Sequence, residues 1–160
     1  MSASGPAATA LRGFALPPFY LLAHMMHSSA YGQGSVFDYF DELGKILETT
    51  THDVLFVDPY LDAEFVSRYL SHLSTQVHVR LLASKKLATL IPAVETFSKQ
   101  QKIEIEVRSI EKIHDRYVII DSRACYQSGA SFKDGALNAP TTLTQLTDVF
   151  PAVLKTYEEL

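Results

Sequence analysis

Apolar positions along this chain change their period several times, and each change marks an element. Val36, Phe37, Phe40, Leu43 and Leu47 recur at the spacing of an amphipathic helix. That helix is expected from a Ser35 cap through about residue 50, with Asp38 and Asp41 in its first turns, where the helix dipole favours negative charge. Val54-Leu55-Phe56-Val57 is instead a continuous apolar run ending at Asp58-Pro59, which fits a central strand covered on both faces and stopped by the proline. Asp62 then caps a helix through about 74, with Phe65, Val66, Tyr69, Leu70 and Leu73 on one side, and a strand follows at Val77 to Leu82. The order strand, helix, strand reads as a βαβ unit.

Ser84 opens a third helix carrying Leu87, Leu90, Ile91, Val94 and Phe97, although Pro92 weakens its middle unless the true first turn lies later. Ile103 to Val107 alternates as a strand. Tyr117 to Ile120 and Ala124 to Ser128 read as two more, joined by the short connection Asp121-Ser122-Arg123. The first of these has apolar residues on both parities and is therefore interior. Thr142 to Leu146 alternates as the last strand. Asp148 then caps a final helix with Pro151 in its first turn, where a missing N–H costs least. The pattern predicts a single α/β domain, a mixed β-sheet flanked by helices on both faces. Residues 1–13 carry little apolar periodicity, so the expected division is a mobile N-terminal leader over 1–35 and one domain over 36–160. No internal repeat longer than a strand is visible, which excludes a tandem arrangement.

Composition narrows the classes. A chain of 160 residues that is 47% hydrophobic is sized for one real core. Its net charge of −4 and pI near 5.8 lack the footprint of a general nucleic-acid binder. A local basic pocket remains compatible with that total. The single cysteine, Cys125, excludes an intramolecular disulfide and a cysteine-based zinc site, and a cytoplasmic location is expected. The 13-residue apolar run Phe14 to Met26 is shorter than the ~20 residues that span a bilayer and contains Pro17 and Pro18, so no transmembrane segment is expected.

The densest chemistry lies in HDRYVIIDSRACYQSGAS, residues 114–131. His114, Arg116 and Asp121 fit the spacing H-x-[KR]-x4-D, and Gly129-Ala130-Ser131 follows as a small-residue turn. This resembles the half-motif of the phospholipase D superfamily. VLFVDPYLD at 54–62 and TLTQLTD at 142–148 extend the resemblance to a bacterial branch of that superfamily, over roughly residues 36–160. The upstream D-P-Y with I-H-D-R is also similar to the C-terminal phospholipase-D-like domain of microtubule-interacting-and-trafficking proteins, a non-enzymatic membrane-binding module.

The resemblance implies a phospholipase-D-like sheet and a phosphodiesterase, including nuclease, in which His114 attacks phosphorus to form a phosphohistidine. A second histidine must protonate the leaving oxygen. One half-motif per chain therefore implies a homodimer with two His114 side chains facing each other. A neutral imidazole is a competent nucleophile near pH 7, and cationic donors offset the charge on the nonbridging oxygens. Arg116 is expected to share a face with His114, since residues two apart on a strand do so. Asp121 has the opposite parity and is assigned a structural, turn-bonding role. The implied phosphate-binding group is Gly129, Ser131 and Lys133, with Asp58 at a strand end in support, either lining the pocket with Tyr60 or forming a turn. No cofactor and no metal are expected.

Three residues depart from the enzymatic pattern. Arg116 replaces the usual lysine, keeping the charge but in a planar fork. Phe132 stands where an asparagine is expected and offers phosphate no hydrogen bond, for which Lys133 is the available compensation. Gln145 is the nearest counterpart of a glutamate that orients the histidine. These departures support an alternative: a degenerate module that binds phosphate groups, anionic lipid or a protein partner without turnover. Elsewhere, His24 and His27 lack a third ligand and are not read as a metal pair. Lys85-Lys86 and Arg108 with Lys112 are basic, but Glu104, Glu106 and Glu111 surround the latter pair, so a solvated strand edge is expected there. Cys125 reads as a small core residue.

Overall fold

The computed structural model describes residues 28–159. Its elements run β1 (Ser28–Tyr31), α1 (Val36–Glu48), β2 (Asp53–Val57), α2 (Ala63–Tyr69) with a 3-10 turn (Leu70–His72), β3 (His78–Ala83), α3 (Leu87–Gln101), β4 (Ile105–Ser109), β5 (Tyr117–Ile120), β6 (Ala124–Ser128), β7 (Thr141–Leu146) and α4 (Phe150–Glu158). The seven strands form one sheet in the order β1-β7-β6-β5-β2-β3-β4. β2, β3 and β4 are parallel neighbours, whereas β5, β6, β7 and β1 pair antiparallel in succession from β2 outward.

Strand parity sorts the side chains into two cores. Val54, Phe56, Val79, Leu81 and Val118 face Tyr39, Leu43 and Leu47 of α1, Phe65 and Tyr69 of α2, and Leu90 and Val94 of α3. Leu55, Val57, Leu82, Tyr117, Ile119 and Cys125 point the other way, against Tyr157 and the apolar residues of α4. The apolar run of β2 is continuous because both of its faces are covered, as expected for an α/β sheet flanked on both sides. Cys125 is fully buried, and burial pushes its thiol up to about 12.

Several local expectations change. The domain boundary expected after residue 35 is too late, because Ser28–Tyr31 forms the edge strand β1, paired with β7 from Ser28↔Thr144 to Tyr31↔Thr141. The Phe14 to Met26 run, His24 and His27 lie outside the described residues. Ser35 occupies the cap position of α1 without a side-chain cap bond, whereas Asp62 caps α2 as read, accepting from the Phe65 N–H at 3.1 Å. Pro92 lies inside α3, which begins at Leu87 after Lys86 rather than at Ser84. Val149, not Asp148, precedes α4, whose first turn holds Pro151.

Candidate functional site

Antiparallel pairing of β2 with β5 sets the exit of β2 beside the entrance to β5, with Val57 opposite Tyr117. One residue beyond that pair come Asp58 and Arg116, both on the parity of the α1–α3 face. Asp58 is fully buried. Its carboxylate accepts from the Tyr60 N–H at 2.9 Å, the Ser131 hydroxyl at 2.8 Å and the Phe132 N–H at 2.8 Å. Burial pushes its pKa up, against the pull of those three bonds and of the nearby Arg116 guanidinium. Asp58 therefore ties the β6–β7 connection to the end of β2. Asp58 shapes the Asp-Pro turn but, being fully buried, lines neither cleft itself, whereas Tyr60 lines both.

The same connection is held by Tyr39 from α1, whose hydroxyl lies 2.6 Å from the Ser128 hydroxyl. Gly129 is required by close approach: a Cβ there would stand 2.7 Å from Thr141 Oγ1. Phe132 packs edge-to-face on Phe56 at 5.4 Å between ring centroids and is fully buried, so it fills core and not the site.

Arg116 is the anomaly. Its backbone carbonyl accepts from the Ser128 N–H at 3.0 Å, but among the described residues its guanidinium has no hydrogen-bond partner, and its Nε is buried. Two clefts meet at it. The larger, about 350 Å³, is lined by Tyr60, Lys86, Arg116, Gly129, Ser131 and Lys133 among others. The smaller, about 280 Å³, is lined by Pro59, Tyr60, Lys85, Glu111, Ile113, His114 and Arg116. His114 and Arg116 thus open onto one hollow. His114 is exposed and lies in the loop before β5 rather than on the strand, so its placement depends on that loop. Asp115, between them, turns to the opposite face and accepts from the Tyr157 hydroxyl of α4 at 2.6 Å.

The other predicted residues divide. Ser131, Gly129 and Lys133 line the larger cleft with Arg116, although the Ser131 proton is committed to Asp58. Lys133 Nζ lies 3.1 Å from Asp134 and 3.9 Å from Asp62. Asp121 sits at the far end of β5. Asp121 and Ser122 both adopt left-handed backbone, φ 50° and 52°, in a two-residue turn closed by the Arg123 N–H to Ile120 O bond of 2.9 Å. Its carboxylate accepts from the N–H groups of Thr51, His52 and Asp53 and from the Thr51 hydroxyl. Burial opposes its ionisation, but these bonds outweigh burial and hold its carboxyl well below the usual carboxylate range.

Gln145 is a correction. It pairs with Tyr126, which pairs with Val118, four residues and roughly 13 Å of strand beyond His114. The register does not bring Gln145 to the histidine. The sequence marks Lys85 and Lys86 as basic but does not place them at the site. They follow the end of β3, where the Ser84 and Lys85 N–H groups bond Pro59 O at 3.2 and 2.7 Å, and this puts them on the walls of the clefts. Their position just after a strand parallel to β2 was the available signal. Among the described residues, no group of three or more His, Cys, Asp or Glu is placed to hold a metal ion, and no helix is long and apolar enough to cross a membrane.

No protein-family model and no curated protein sequence matches this chain. Solved structures do. NucT from Helicobacter pylori superposes with a TM-score of 0.64 at 11% identity, over 84% of this chain and 94% of that one. Nuc from Salmonella typhimurium, a phospholipase D family member, superposes with a TM-score of 0.55 at 9% identity, over 83% and 93%. Polyphosphate kinase from Porphyromonas gingivalis gives 0.57 at 12% identity, over 82% of this chain and 23% of that one. At such identities the likeness bears on architecture, and with the seven-stranded mixed sheet covered on both faces it establishes that this chain has the phospholipase-D-like α/β fold.

Proposed function

We propose that the protein is a metal-independent, phospholipase-D-like phosphodiesterase, with nucleic acid within its substrate range, that works through a phosphohistidine in a homodimer. The observation that carries this reading is the Arg116 guanidinium, left without a hydrogen bond where the His114 cleft meets the cleft of Lys86, Lys133 and Gly129. Arg116 lines both clefts, and an anion bound between them would pair with a guanidinium that has no other partner among the described residues. In the proposed reaction the His114 imidazole attacks phosphorus, a P–N bond forms, and the P–O bond to the leaving group breaks. His114 of a second copy, related by a two-fold axis, gives its proton to the leaving oxygen. Water then breaks the P–N bond and gives its proton back to that second imidazole. Arg116 stabilises the nonbridging oxygens throughout. Ser131 acts indirectly by fixing the turn through Asp58. The folds of NucT and Nuc are compatible with this reading.

The test is hydrolysis of bis(p-nitrophenyl) phosphate in EDTA. His114→Ala is expected to lower the rate by about 10³-fold or more, and acid-labile phosphate is expected on the wild-type chain after quenching in base. Equal rates for the two proteins would remove the reading. Sedimentation at assay concentration tests the dimer, and a monomer with full activity would exclude the two-histidine scheme. One observation favours a second reading, a phosphate-binding module without turnover. No side chain among the described residues is hydrogen-bonded to the His114 ring to orient it. Binding of anionic lipid or of a phosphorylated partner that Arg116→Ala abolishes, with no hydrolysis, would select it.

A further inference from the structure

Tyr60 divides the two clefts and lines both, with 38% of its surface exposed. Its backbone is fixed, because its N–H donates to Asp58 at 2.9 Å and the preceding Pro59 carbonyl accepts from Ser84 and Lys85. An exposed aromatic ring on a rigid turn, beside an unpaired guanidinium, is an unusual use of surface. The cations around it lie on opposite sides: Lys85 in the smaller cleft, Lys86 and Lys133 in the larger, and Arg116 common to both. A lipid headgroup with a single phosphate would engage Arg116 alone. A strand carrying a phosphate on every residue can meet Arg116 and the lysines on both sides together, and its unpaired bases are planar rings able to stack.

We infer that Tyr60 is a stacking platform that makes single-stranded nucleic acid the substrate class of this site, with one base on the ring, one phosphate on Arg116 and the flanking phosphates toward Lys85 and Lys86. The inference rests on the proposed role of Arg116 as phosphate anchor but not on turnover. Stacking on an aromatic ring is tolerant of base identity, so the expected selectivity is for strand state and not for sequence. In a duplex the bases already stack on one another, and Tyr60 finds none.

The experiment measures fluorescence anisotropy of the full chain carrying His114→Ala, which removes turnover, in EDTA. The probes are an oligothymidylate of about twelve nucleotides, an abasic strand with the same phosphates, and the matching duplex. The base-bearing strand is expected to bind about 10-fold more tightly than the abasic one. Adding Tyr60→Ala or Tyr60→Leu is expected to bring that ratio to near one, and Tyr60→Phe to keep it. The duplex is expected to bind no better than the abasic strand. Equal binding of base-bearing and abasic strands with Tyr60 intact would overturn the inference. So would a ratio that survives Tyr60→Ala and Tyr60→Leu, or displacement of every strand by phosphatidylserine vesicles with no base dependence. A preserved ratio with no hydrolysis by the wild type would remove the catalytic proposal and leave the stacking site standing.

Discussion

The pair of strands β2 and β5 ends in an aspartate on each side, and the two ends are built differently. At one end Asp121 takes the N–H groups of Thr51, His52 and Asp53 and a threonine hydroxyl, and the neighbouring Arg123 reaches it at 3.4 Å. Its polar groups are matched with one another. At the other end Asp58 is equally well supplied with donors, but among the described residues the side chains of Arg116, His114, Lys85 and Lys86 have no hydrogen bond or ion pair. Leaving the buried Arg116 Nε unpaired lowers stability, whereas the exposed side chains of His114, Lys85 and Lys86 are solvated. Within the H-x-R-x4-D spacing, then, the aspartate builds the sheet and the other two residues face the cleft.

The largest test of that contrast is Asp58→Ala. It strands the Ser131 hydroxyl and two backbone N–H groups, and is expected to cost roughly 4 kcal/mol. Asp121→Ala should cost somewhat less, roughly 3 kcal/mol, and leave the cleft residues in place. Urea unfolding measures both, and a wild-type midpoint for either variant would break the comparison.

The pH dependence sharpens it. Asp121 has a depressed native pKa, so its contribution is full above its unfolded value near 4 and is lost as pH falls through the native one. Asp58 has a raised native pKa, so the folded state holds its proton more tightly and its contribution declines as pH rises from near 4 through the native value. Stability differences between wild type and Asp121→Asn or Asp58→Asn, followed from acid to neutral, are expected to slope in opposite directions. Slopes of one sign would contradict the assignment. The smallest effect is that of Tyr157→Phe, which removes the bond to Asp115. About 1 kcal/mol and faster hydrogen exchange around 113–116 are expected, because α4 braces the histidine loop from behind.

Much of this fold is legible as pattern. Val54 to Val57 announces a strand covered on both faces, and Tyr117 to Ile120 does the same, because burial on two sides leaves no polar parity. β1 is not legible, since Ser28-Ser29-Ala30-Tyr31 lies at the sheet edge and only Tyr31 is buried; its pairing is set by backbone bonds to β7. Asp148 and Ser35 look like caps, yet neither side chain makes a cap bond, because cap chemistry is a propensity that tertiary packing overrides. In the site, spacing brings out His114 and Arg116 but not their relation to Lys85, Lys86, Tyr39 and Ser128. Those residues come from other strands and helices, and only the order β6-β5-β2-β3 juxtaposes them. Gln145 shows the converse failure, where proximity inferred from a motif is undone by register.

Cys125 has a practical corollary. The one native thiol is sealed beneath α4 and holds its proton, so thiol-directed reagents have no target on the folded chain. A cysteine introduced on the rim of the clefts would be uniquely reactive, which lets a fluorophore report on ligand entry without altering any native residue in the interior.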